Sequence, residues 1–193
     1  TDTGLYTCTA TNVAGNTSLS YSLRVQAPPQ LLIGDGESHL TAIANNSLRI
    51  HCRAMGIPTP QIQWLKDGHP LGERDGAVVS EDGGTLLITR VGLSHEGLYI
   101  CQGSSQAGAA QAEVQVSVQV PPIIEPSAVD LAILENGTVS LECLASGLPA
   151  PDITWYKGNK QLSAEPGRTL SRDGKHLEIQ RARLSDAGSY HCV

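Results

Sequence analysis

Residues 177 to 192 read Leu177-Glu178-Ile179-Gln180-Arg181-Ala182-Arg183-Leu184-Ser185-Asp186-Ala187-Gly188-Ser189-Tyr190-His191-Cys192. Leu177 and Ile179 alternate with polar neighbours as one face of a half-buried strand does. Ser185-Asp186-Ala187-Gly188 has the composition of a turn, and Tyr190 and Cys192 alternate again on a following strand. The stretch is a corner between two strands. The same succession of residue types stands earlier as Leu86, Ile88, Val91, Gly97, Tyr99 and Cys101, and the chain opens on its tail, Asp2, Gly4, Tyr6 and Cys8. One unit is therefore written three times, the first time only in part.

A single interval relates the two fuller copies: 143 less 52, 155 less 64, 190 less 99 and 192 less 101 all give 91. A fixed period of this size fits an array of whole small domains better than a solenoid. Within each copy a Trp follows the first Cys by 12 positions, and a Tyr stands two before the second Cys. This order resembles the immunoglobulin sandwich, in which a core Trp packs on a disulfide between two sheets and a Tyr corner precedes the second Cys. The paired cysteines are 49 positions apart, 101 less 52 and 192 less 143, too few for the extra strands of a variable-type domain. The fold class expected is all-β, tandem immunoglobulin-like sandwiches of the I-set type, truncated at both ends.

The resemblance implies disulfides from Cys52 to Cys101 and from Cys143 to Cys192, with Trp64, Trp155, Tyr99 and Tyr190 in the cores. Cys8 is left over, and its partner belongs on a strand missing from the N-terminus. Paired cysteines point to an oxidising, extracellular setting. The chain has no phenylalanine and two tryptophans, so each Trp carries most of the aromatic bulk of its core.

Three domains follow. Residues 1–26 are the C-terminal hairpin of a truncated domain, 27–119 a complete sandwich, and 120–193 a sandwich lacking its last strand. Ala27-Pro28-Pro29 and Val120-Pro121-Pro122 occupy the same place in the repeat, the second just after the alternating Val114, Val116 and Val118. Proline removes ladder donors and stiffens the backbone, so the joints are short and the array is expected to be a semi-rigid, elongated rod. In the second domain Leu48, Ile50 and Cys52 face one way and Ser47, Arg49 and His51 the other.

Chemistry for turnover is not found. The chain has no phosphate loop, no G-x-S-x-G and no H-E-x-x-H, and the consecutive Ser94-His95-Glu96 cannot form a relay because neighbouring side chains in a turn diverge. The six histidines lack zinc spacing and the acidic residues do not cluster as a calcium loop. No catalytic residue, metal or cofactor is expected. The net charge of −6 is spread along the chain, with no basic stripe or Lys/Arg run, which argues against nucleic acid and anionic membranes as partners. No apolar run reaches the ~20 residues of a membrane span, and nothing suggests a small-molecule substrate. Sequons stand at Asn16, Asn45 and Asn136, each at a turn where a glycan would be solvated.

Two further features concern single domains. Leu98 and Ile100 flank Tyr99 on the outer face of its strand and Leu65 faces outward beside Trp64, a candidate protein-docking patch that the third domain replaces with Tyr156, Ser189 and His191. In the immunoglobulin fold an Arg near the fourth strand commonly bridges to the Asp of the corner. The matching residues are Arg168 and Asp186, and 91 positions earlier stand Ala77 and His95, so the bridge is expected in the third domain alone.

The Pro-Pro joints, G-x-P-x-P before the Trp, W-L-K-D-G, D-G-G-T-L-x-I and S-D-A-G-x-Y-x-C are similar to the long I-set tandem of the hemicentins, giant extracellular-matrix proteins. Peroxidasins, adhesion receptors and the muscle giants share these motifs. What the resemblance implies is an adhesive, structural module in basement membranes or cell junctions that binds other proteins, homophilic partners among them, through sheet faces. The alternative is the ectodomain of a cell-surface adhesion or signalling receptor. A cytosolic sarcomeric array is opposed by the paired cysteines and sequons.

Overall fold

The computed structural model describes residues 2–127 and 129–193; Thr1 and Ala128 lie outside the described residues. The opening stretch forms a hairpin, β1 (Gly4–Asn12) and β2 (Gly15–Leu23), joined by a turn in which the Asn12 side chain accepts the Ala14 N–H at 2.8 Å. Every residue of both strands is exposed, Cys8 among them. The hairpin is held by its ladder and by cross-strand hydroxyl pairs, Thr7 to Ser20 at 2.8 Å and Thr9 to Ser18 at 2.7 Å.

The chain divides into two units, Thr1–Val118 and Gln119–Val193. The first contains β3 (Ala27–Ile33), β4 (His39–Ile43), β5 (Leu48–Ile57), β6 (Gln61–Lys66), β7 (His69–Pro70), β8 (Ala77–Val79), β9 (Thr85–Ile88), β10 (Gly97–Ser105) and most of β11 (Gly108–Ile124). One sheet runs β3-β5-β9-β8. The other runs β11-β10-β6-β7, with β4 also on β11. Period-two burial along β5 and β10 sends Ile50, Cys52, Tyr99 and Cys101 between the sheets, where they pack with Trp64, Leu86, Ile88 and Val114. A two-residue loop at Asp67 and Gly68, both with positive φ, pairs Lys66 with His69 and turns β6 into β7.

The second unit repeats this plan with shorter strands: β12 (Val139–Glu142), β13 (Ala145–Leu148), β14 (Trp155–Lys157), β15 (Lys160–Gln161), β16 (Arg168–Leu170), β17 (His176–Ile179) and β18 (Tyr190–Cys192). Its sheets run β12-β17-β16 and β15-β14-β18, and β13 pairs with the end of β11 at Val120, Ile123 and Ile124. The buried centre is Cys143, Trp155, Leu162 and Leu177, a smaller cluster than in the first unit. The peptide bonds Ile57-Pro58 and Leu148-Pro149, equivalent in the repeat, are both cis.

Candidate functional site

The residues with fixed spacing form the frame on which the outer faces are displayed. Cys52 is bonded to Cys101 and Cys143 to Cys192, each pair with Cα atoms 6.4 Å apart. Trp64 and Trp155 are buried, and each donates its indole N–H at 2.7 Å to a turn carbonyl, Gly83 and Gly174. The Tyr99 hydroxyl donates to the His95 carbonyl at 2.8 Å and that of Tyr190 to the Asp186 carbonyl at 2.6 Å. Burial pushes the Tyr99 hydroxyl up to about 12, helped by the nearby carboxylates of Asp67 and Asp75. Tyr190 is raised for the same first reason and by Asp186, with Arg168 acting in the opposite sense.

The bridge expected between Arg168 and Asp186 is not formed. Arg168 pairs instead with Glu165, Nη1 to Oε1 at 3.0 Å, and its Nε donates to the Ser163 carbonyl at 3.0 Å. Glu165 and Arg168 close a tight turn through reciprocal backbone bonds of 3.0 and 2.8 Å. That turn already holds the two side chains together, so pairing there orders less free chain than reaching to the corner. Asp186 is also engaged, its carboxylate accepting the Arg183 N–H at 2.8 Å as a cap on the 3-10 turn Leu184–Asp186.

At the equivalent corner of the first unit, His95 takes the place of Asp186 and does more. Its Nδ1 accepts the Gly92 N–H at 2.8 Å, which leaves Nε2 to carry the proton and donate to the Asp75 carbonyl at 3.0 Å. The joint absence of Arg and Asp in this unit is thus filled by one neutral imidazole that caps the corner and ties it to the turn before β8. Beside it, Glu96 accepts the Val118 N–H at 3.0 Å.

On the outer face of the β11-β10-β6-β7 sheet, Ile100 lies directly opposite Leu65, with Leu98 two positions along β10; all three are half-buried. A row of glutamines, Gln111, Gln102 and Gln63, borders them. In the second unit the corresponding pair, Tyr156 and His191, stacks at 5.1 Å between ring centroids and 10° between planes. Asn16, Asn45 and Asn136 are all exposed, although the Asn45 amide oxygen also accepts from Arg90 Nε at 3.2 Å. Among the described residues no three His, Cys, Asp or Glu side chains gather as a metal site requires, and no helix is long and apolar enough to cross a membrane.

One charged surface is not marked by any run of Lys or Arg in the sequence. Arg49, His51 and Arg53 alternate outward along β5 and form a basic stripe on the other sheet. The period-two pattern R-x-H-x-R on a strand whose alternate residues are apolar is the signal that marks it.

The profile for the immunoglobulin I-set domain matches residues 34–118, and a second immunoglobulin-domain profile matches residues 121–193. The chain belongs to the immunoglobulin domain family. Human Hemicentin-1 is 38% identical over 194 residues, covering 100% of this chain and 3% of that protein. Mouse Roundabout homolog 1 is 32% identical over 206 residues, covering 100% of this chain and 13% of that protein. The chain therefore spans a small part of the length of these relatives. Among solved structures, the I-band fragment I67-I69 from titin matches with a TM-score of 0.82 at 26% identity, over 99% of this chain and 69% of that one. Kinship with the hemicentins and Roundabout, together with two disulfides, places these immunoglobulin units outside the cell.

Proposed function

We propose that the chain is an adhesive and structural segment of an extracellular-matrix or cell-junction protein, whose immunoglobulin units bind other proteins through their sheet faces without turnover. One observation carries this reading. The two units keep the same disulfide, Trp-to-carbonyl and Tyr-to-carbonyl contacts 91 positions apart, while three matched outward positions of one sheet all differ, Leu65, Leu98 and Ile100 in one and Tyr156, Ser189 and His191 in the other. A scaffold held constant under a changing surface is how binding specificity is distributed along an array. The exposed sequons at Asn16, Asn45 and Asn136 fit a glycoprotein, with N-linked sugars on solvated turns.

The test is attachment of cells to plastic coated with the purified, oxidised chain. Cells are expected to attach, and a variant carrying Leu65→Asp and Ile100→Asp is expected to hold fewer of them while remaining folded by circular dichroism. Absence of attachment to the folded parent chain overturns the reading.

A further inference from the structure

The outer face of one sheet reverses its charge from the first unit to the second. In the first, the register sets Leu32 beside Arg53, Thr85 beside His51, and Leu87 beside Arg49, with Val78 beside Leu87 on the next strand. His51 Nδ1 shares a hydrogen bond with the Thr85 hydroxyl at 3.1 Å. Neither arginine forms an ion pair among the described residues. No acidic residue stands on β3, β5, β8 or β9. Leu32 and Val78 are 46% and 58% exposed, so the face mixes cations with open apolar surface.

Shifted by 91, the positions of Arg49, His51 and Leu87 become Ser140, Glu142 and Glu178 on β12 and β17. Ser140 lies opposite Glu178, and Thr169 of β16 lies on its other side. Glu142 faces His176, whose Nδ1 is 3.7 Å from its carboxylate, and Glu178 accepts Gln180 Nε2 at 2.5 Å. The same face that is basic in one unit is acidic in the other.

We propose that the basic face of the first unit docks on the acidic face of the second unit of another copy of this chain, so that the protein associates with itself through unlike units. The proposal rests on the adhesion reading and names its partner. Arg49 and Arg53 lie ~13 Å apart along β5, four residues at the rise of a strand, with His51 between them. Glu142 and Glu178 are diagonal neighbours ~7–8 Å apart. Two long guanidinium arms therefore close on a carboxylate pair from either side, while like faces repel, which fixes which unit meets which. The apolar neighbours Leu32, Leu87 and Val78 favour a protein partner over a sulfated polysaccharide, because arginine set among apolar side chains is the composition of protein interfaces. Strands β3, β5, β9 and β8, of 7, 10, 4 and 3 residues and ~4.8 Å apart, present only roughly 400 Å² in plan, so each contact is weak.

Sedimentation velocity of the purified chain tests this without cells. Self-association is expected, weaker by about tenfold when NaCl is raised from about 50 to about 300 mM. The variant Arg49→Glu/Arg53→Glu and the variant Glu142→Arg/Glu178→Arg are each expected to be monomeric. Their equimolar mixture is expected to associate again, a rescue that a merely structural role would not produce. A parent chain that is monomeric throughout, variants that associate like the parent, or a mixture that stays dissociated overturns the proposal. So does retention on immobilised heparin that the arginine variant loses, in a chain that does not self-associate. Cell attachment that persists beside a monomeric chain removes this inference and leaves the adhesion reading standing.

Discussion

Replacing His95 with Ala removes two hydrogen bonds at once, the cap on Gly92 at 2.8 Å and the tie to the Asp75 carbonyl at 3.0 Å. A lost cap costs about 1 kcal/mol and the second, exposed hydrogen bond up to about 1 kcal/mol more, so the first unit is expected to lose up to ~2 kcal/mol. His95→Asp recreates what Asp186 does in the second unit, where a carboxylate accepts the Arg183 N–H at 2.8 Å, and leaves only the tie to Asp75 broken. That variant should lose up to ~1 kcal/mol. Each unit has a single buried tryptophan, so fluorescence in a Trp155→Phe background reports on the first unit alone. With a urea slope of about 1–2 kcal/mol/M, the midpoint should fall by about 1–2 M for His95→Ala and by about half as much for His95→Asp. An unchanged midpoint in His95→Ala refutes the reasoning. So does a loss in His95→Asp as large as in His95→Ala, which would mean that the cap contributes nothing.

The Tyr99 hydroxyl, raised to about 12 in the folded state, makes alkali destabilising. Its folded value lies above the unfolded one near 10, so the stabilisation is complete below about pH 10 and is lost as pH rises toward 12, by ~2–3 kcal/mol; urea titrations between pH 9 and 12 should show this slope flattened in Tyr99→Phe. At Gly97, φ is +148° and an added Cβ would lie 2.7 Å from both Asp67 carboxylate oxygens, which are held by the Leu98 N–H and Lys66. Gly97→Ala is therefore expected to destabilise by more than ~2 kcal/mol, and Gly188→Ala by less, because the nearest atom in its way is Lys157 Cε at 3.0 Å, near the end of a long side chain; equal losses by thermal melting would contradict the comparison. Arg168→Ala should cost no more than ~1 kcal/mol, since its partner Glu165 is 56% exposed, and a loss near 3 kcal/mol would show that Arg168 is tied to something more deeply buried.

The frame was legible because its residues act at fixed separation along the chain. Cys, Trp and Tyr each have one way to fill an immunoglobulin core, and a 91-residue shift moves them together. Side-chain pairing was not legible in the same way. Arg168 has several acceptors within reach, and the choice of Glu165 over Asp186 depends on a turn whose reciprocal backbone bonds no residue pattern announces. The sequence shows His95 only as a turn residue standing where the bridging Asp would be, because its role depends on one amide, of Gly92, and one carbonyl, of Asp75, that the fold brings together at the corner. The basic stripe is a different case. Arg49, His51 and Arg53 were in view as outward residues of a strand, and their charge was diluted by counting along the chain instead of along the face.

The two tyrosine hydroxyls reach a main-chain oxygen, that of His95 in one unit and of Asp186 in the other. Every residue type supplies that oxygen, so the clamp places no demand on which side chain the corner carries. A copied domain can exchange imidazole for carboxylate there, and with it the charge and hydrogen-bonding habit of the rim, while the strand entering the disulfide stays anchored. Divergence after duplication is thereby uncoupled from foldability at this position, which gives a long array room to make each of its beads chemically distinct.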